Sequence, residues 1–148
     1  MNPFELAPAV RLRSAYLHMH RAVNGRLRPF GVTADQFVVL RFLNEEDGIS
    51  QQDLVRLCTS DPTTMGRMLD LLEDKACVRR RPDPHDGRSR QVFLTTRGRN
   101  LCDRLYDATA PIRQVFENAV EADELKSMLD SLQKLANAFA GKPELGPE

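Results

Sequence analysis

The chain has no Trp, few aromatics (6%) and no charge imbalance, its 21 basic residues matching 21 acidic ones. Zero net charge excludes a bulk polycation that coats nucleic acid along its whole surface. No apolar run approaches the roughly 20 residues of a membrane-spanning helix, so no membrane partner is expected. The start, Met1-Asn-Pro-Phe-Glu-Leu6, lacks a basic segment followed by an apolar stretch, which argues against a secretory signal. Cysteine is scarce, and Cys58, Cys77 and Cys102 form no CxxC pair, so neither a disulfide scaffold nor a zinc ribbon is indicated. The expectation that remains is one cytoplasmic domain of 148 residues with no cofactor.

What charge there is lies unevenly. Arg79, Arg80, Arg81, Arg88, Arg90, Arg97 and Arg99 crowd one segment, opposed there by Asp83 and Asp86, whereas from Glu121 onward acidic residues outnumber the three lysines. A neutral chain with locally concentrated arginines reads as a protein with one polyanion-facing surface.

Apolar residues at Leu12, Tyr16, Met19, Val23, Leu27 and Phe30 trace one helical stripe, stopped by Pro29 and Gly31. Thr33-Ala-Asp-Gln36 fits a capping box that opens a second helix through Phe37, Leu40 and Leu43, ended by Asp47-Gly48. Ser50 caps a short third helix carrying Gln51 and Leu54. Asp61 precedes Pro62, which suits a first helical position, so Asp61 is the expected cap of a fourth helix. That helix buries Met65, Met68, Leu69 and Leu72 and shows Thr63, Thr64, Gly66, Arg67 and Asp70 on its other face. Two short helices across a tight turn make a helix-turn-helix candidate.

After Lys75 the texture becomes that of a β-hairpin: Val78 with its arginines, a turn-rich loop containing Pro82, Pro84 and Asp86-Gly87, then Arg90 to Thr95. Thr95 or Thr96 caps a long fifth helix expected to reach Phe116 with a kink at Pro111, and Leu125 to Phe139 make a sixth. The major groove of B-DNA, about 12 Å wide, admits one helix with a small leading face, and the narrower minor groove suits an arginine-tipped loop. Met65 and Met68 read as core fillers, Arg79 to Arg81 taken alone as a solvated strand edge, and His85 as a surface histidine.

The ordered set Thr33-xx-Gln36-Phe, Ser50-xx-Asp-Leu54, Asp61-x-Thr-Thr-xx-Arg67, Leu72-Glu-Asp-Lys75, Asp83-xx-Asp86-x-Arg88 and Leu94-Thr-xx-Gly98 resembles the MarR-type winged helix-turn-helix regulators. The resemblance implies a mainly α fold of six helices with a small β-hairpin wing. Residues 33–97 would be the DNA-binding region, 1–32 and 98–140 the dimerisation helices, and 141–148 a flexible tail. It further implies a homodimer that binds double-stranded DNA at a pseudo-palindromic operator, acting as a repressor relieved by a small aromatic or phenolic effector. Carried over, Asp61, Thr63, Thr64, Gly66 and Arg67 fall on the recognition helix, and Arg79, Arg81, Asp86, Arg88 and Arg90 on the wing. Asp86 matches the acid that orients neighbouring arginines, Ser50 and Gln51 support the motif, and Tyr16 and His20 are candidates for the effector cleft. Ala76 stands where the family usually has Gly, Gly66 where it has Thr or Ser, and no cysteine precedes Cys58. Two alternatives stand beside this reading: a winged-helix protein-interaction module without DNA, and a small thiol enzyme.

Overall fold

The computed structural model describes residues 7–142, so the part of the expected tail beyond 142 lies outside the described residues. In chain order the elements are α1 Ala7–Leu27, a 3-10 turn Arg28–Phe30, α2 Ala34–Glu45, β1 Ile49–Ser50, α3 Gln51–Leu57 and α4 Pro62–Asp74. Then come β2 Val78–Pro82, β3 Arg90–Leu94, α5 Thr96–Ala108, α6 Ala110–Ala119 and α7 Ala122–Ala140. The fold is mainly α with a small sheet, but the described residues form seven helices rather than six. The segment expected to run unbroken to Phe116 is interrupted at Thr109, whose hydroxyl donates to the carbonyls of Leu105 and Tyr106 at 2.9 and 3.0 Å. Such back-bonding loosens a helix, and Pro111 adds to it, having no N–H and a ring that crowds the carbonyl four residues back.

The caps form where the sequence places them. The Gln36 amide donates to Thr33 Oγ1 and the Thr33 amide to Gln36 Oε1, both at 3.1 Å, closing the capping box. Ser50 accepts from the Asp53 amide at 3.0 Å, and Thr95 from the Gly98 amide at 3.0 Å. Each satisfies an amide that a helix start would otherwise leave unpaired.

The sheet has the order β1-β3-β2, antiparallel throughout, with Val78 opposite Leu94 and Arg80 opposite Val92. The third strand, β1, was not expected: two residues are too few for a readable alternation, and Ser50 is also a helix cap. It pairs Ile49 with Val92 and anchors the hairpin beside α3.

Residues up to Ala110 form one compact unit and residues from Pro111 a second. The first buries Leu27, Val39, Leu40, Leu43, Leu54, Met65, Leu69, Leu72, Val92 and Leu105 in a single core. Each large side chain sequestered there contributes about 1.5–3 kcal/mol. Where α4 hands over to β2, Ala76 sits at φ 58°, the left-handed region that costs a residue with a Cβ about 1–2 kcal/mol. Beside it the Thr95 amide donates to Cys77 O at 3.0 Å and the Thr95 hydroxyl to Ala76 O at 2.6 Å. Gly98 lies so near this strand that a Cβ would stand 2.1 Å from Cys77 O. The end of α4 and the start of α5 are therefore locked together.

In the second unit no residue of α6 or α7 is buried. Leu129, Leu135 and Phe139 stay 58%, 46% and 62% exposed along α7. In the first unit the early part of the α1 stripe is open in the same way, at Leu12, Tyr16 and Met19.

Candidate nucleic-acid interface

Asp61 begins α4 as expected, and its job there is structural. The Thr64 amide donates to Oδ1 at 2.8 Å and the Thr64 hydroxyl to Oδ2 at 2.7 Å. These two donors hold the carboxyl below its usual range. Thr63, Thr64 and Arg67 are exposed on the leading face, with Met65 and Leu69 turned to the core. Gly66 lies half-buried between them. A Cβ there would meet Gln51 Nε2 at an ordinary 3.8 Å, so nothing inside the chain demands glycine. Gln51 thus covers the base of α4 from α3, and Ser50 fixes the start of α3. The turn between the two helices carries Thr59 at φ 50°, an unusual conformation for a β-branched residue.

The wing loop is pinned by its own backbone. Asp83 N donates to Ser89 O at 2.9 Å and Ser89 N to Asp86 O at 3.0 Å. Two carboxylates close local turns: the His85 amide donates to Asp83 at 2.8 Å and the Arg88 amide to Asp86 at 3.0 Å. Asp86 therefore meets Arg88 through its main chain, leaving the Arg88 side chain exposed at the tip. Arg88 and Arg90 border a cleft of about 330 Å³ shared with Gln51, Gln52, Val55 and Pro62, which brings the wing base against the start of α3.

The three consecutive arginines of β2 divide by strand alternation. Arg79 and Arg81 are exposed, and the Arg81 guanidinium lies over the Phe93 ring at 5.3 Å to its centroid. Arg80 points the other way: its side chain is only 10% exposed and pairs with Asp70 and with Glu73, the latter at 3.1 Å. These contacts lower the Glu73 carboxyl and tie the wing to α4. Sequence reading missed this role, although counting by twos from buried Val78 assigns Arg80 to the inner face.

Tyr16 and His20 stack one helical turn apart, ring centroids 5.3 Å apart. A cavity of about 510 Å³ is lined by Tyr16, Asp35, Val38 and Met68 together with Cys58, Thr59, Ser60, Asp61 and Thr64. His20, expected beside Tyr16 in a cleft, is not among the lining residues. Burial raises all three thiols, which leaves little thiolate for nucleophilic chemistry. No described helix is long and apolar enough to cross a membrane.

Residues 30–89 match the model of the MarR family. The chain is 35% identical over 116 residues to the HTH-type transcriptional repressor Rv2887 of Mycobacterium tuberculosis, covering 74% of this chain and 81% of that one. With the multiple antibiotic resistance protein MarR of Escherichia coli it shares 31% over 137 residues, 88% of this chain and 92% of the other. Among solved structures, a cysteine-to-serine variant of E. coli MarR complexed with operator DNA superposes with a TM-score of 0.80 at 30% identity, covering 91% of this chain and 99% of that one. AbsC of Streptomyces coelicolor, at 21% identity and a TM-score of 0.84 over 96% of this chain and 97% of that one, shares the fold. These relatives are regulators rather than enzymes, which sets aside the thiol-enzyme alternative. The chain belongs to the MarR family of transcriptional regulators.

Proposed function

We propose that this regulator is a sequence-specific repressor that binds a pseudo-palindromic double-stranded operator as a homodimer and is released by a small aromatic effector. The observation that carries the reading is the pairing of an exposed polar face on α4 with a wing whose loop is braced internally, so that Arg88 projects on a preformed finger. In this reading Thr63, Thr64, Gly66 and Arg67 face the major groove, Arg88 enters the minor groove, and Arg79, Arg81 and Arg90 neutralise phosphates. Asp61 and Asp86 act through the backbone they hold, and Ser50, Gln51 and Arg80 keep the two reading elements in register. Residues 33–97 form the reading head, and 1–32 with 98–140 join the subunits, covering the apolar stripes that α1 and α7 leave open. Two heads about 34 Å apart would meet successive turns of one duplex face. Such a protein works in the cytoplasm, where it meets the DNA it regulates.

Tyr16 supplies the aromatic wall of the effector cleft, with His20 stacked behind it. The lining holds the carboxylates of Asp35 and Asp61 and no cation, so a phenol, which donates a hydrogen bond, suits it better than an aromatic acid. The effector releases DNA through unequal affinity for DNA-competent and incompetent head spacings.

Replacing Arg88 by Ala tests the assignment. Operator affinity in a gel-shift or anisotropy titration is expected to fall about tenfold or more, with the dimer and thermal midpoint unchanged. Wild-type affinity in that variant would overturn the wing's role.

A further inference from the structure

Gly66 stands inside α4, where glycine is the poorest helix former after proline. Nothing in the fold requires it there. It is not among the residues at positive φ, and beyond its own stretch of helix a Cβ would find one atom within 4 Å, Gln51 Nε2 at 3.8 Å. Gly98 differs, because a carbonyl fills the space its side chain would take. The missing side chain at Gly66 therefore leaves a notch on the leading face of α4, walled by the Gln51 carboxamide.

The side chains of Gln36, Gln91 and Gln133 each hold a hydrogen bond within the chain. Gln51, half-buried, holds none among the described residues. Its two N–H donors and its oxygen are open, and a partly covered polar group gains by finding a partner. Gln51 also borders the cleft of about 330 Å³ that Arg88, Ser89 and Arg90 share with Pro62. One side chain thus lies between the leading face of α4 and the base of the wing. In B-DNA a major groove about 12 Å wide and a minor groove about 6 Å wide flank one sugar-phosphate strand. A protein with α4 in the first and the wing in the second straddles that strand, and what lies between the two elements faces its phosphates.

We propose that Gln51, reaching across the notch at Gly66, donates from Nε2 to a phosphate of the strand between the two grooves and so fixes the register of α4. Gln51 is then a positioning residue on the DNA itself, beyond its place beneath α4. The inference rests on the DNA-binding reading above and adds a neutral, directional contact where the arginines supply charge.

The test uses the full-length protein and a duplex that it selects from a random pool, read by anisotropy titration. Gln51→Ala should bind that duplex about fivefold more weakly, and a repeat selection should return the same sequence, since a phosphate contact carries no base information. Gln51→Glu, of the same size, should bind about twentyfold more weakly, because its carboxylate meets a phosphate. A Gln51 that only supports the fold would order them the other way, Glu being the milder change. Replacing phosphates one at a time by neutral methylphosphonates should reveal a position in each half-site that weakens the wild type about threefold more than it weakens Gln51→Ala. Should the Gln51 variants lose the circular dichroism of the wild type, Gly66→Leu closes the notch with a good helix former: its thermal midpoint should rise while its affinity falls about fivefold. A Glu variant milder than Ala, no such phosphate, a changed selected sequence, or a Gly66→Leu variant that binds like the wild type would each overturn the proposal. If Arg88→Ala weakens binding and these changes do not, the wing assignment stands without it; if no duplex is selected at all, both readings fall together.

Discussion

The residues up to Ala110 and those after it solve the burial problem differently. The first unit closes a core around Leu40, Leu54, Leu69 and Val92 from its own elements, whereas α6 and α7 bury nothing. The difference is not one of composition, since α7 repeats Leu125, Met128, Leu129, Leu132, Leu135 and Phe139 at helical spacing. It is one of partners. An amphipathic helix of 19 residues gains most of its stability from what packs on its apolar face. In the proposed dimer, a first unit that closes its own core and helices that are completed by association would separate folding from dimerisation.

The largest test of that contrast is Leu69→Ala, which empties a fully buried position of α4. About 3–5 kcal/mol should be lost in chemical denaturation, and a loss under about 1 kcal/mol would mean the core is not centred there. Next comes Leu135→Glu with Phe139→Glu. Sedimentation should show monomers, with about 2–4 kcal/mol removed from association and the circular dichroism of the head retained. A dimer of undiminished affinity would assign the subunit contact elsewhere. Ala76→Gly should raise stability by about 1 kcal/mol by relieving the left-handed strain, read as a higher denaturant midpoint. Glu73→Gln has the smallest effect, because its exposed carboxylate is screened. The folded Glu73 carboxyl is lowered by Arg80, so its contribution is present above the ordinary carboxylate range, near 4, and fades as pH falls towards the lowered value. The variant should therefore lose less stability than the parent on acidification through that window.

Local chemistry was legible in the sequence. Thr33, Ser50, Asp61 and Thr95 each sit at the helix start they mark, because a cap is decided within four residues. The hairpin and its turn loop were readable for the same reason. Features that depend on distant partners were not. The β1 strand exists only through its pairing with Val92, and the cavity beside Tyr16 is assembled from residues dozens of positions apart. Arg80 lies between these cases: its direction follows from alternation, but its carboxylate partners on α4 appear only once the hairpin folds back. At Ala76 the missing glycine did not shift the helix end, and the chain accepts the strained dihedral instead.

The absent methyl at Gly98 has a mechanical meaning. With Cys77 O filling the space a side chain would take, and Thr95 stitched to two successive carbonyls, there is no slack at this joint. Close-packed joints of this kind pass on small displacements rather than absorbing them. A tilt of α5 by a few degrees therefore acts as a crank, swinging the far end of α4 with it.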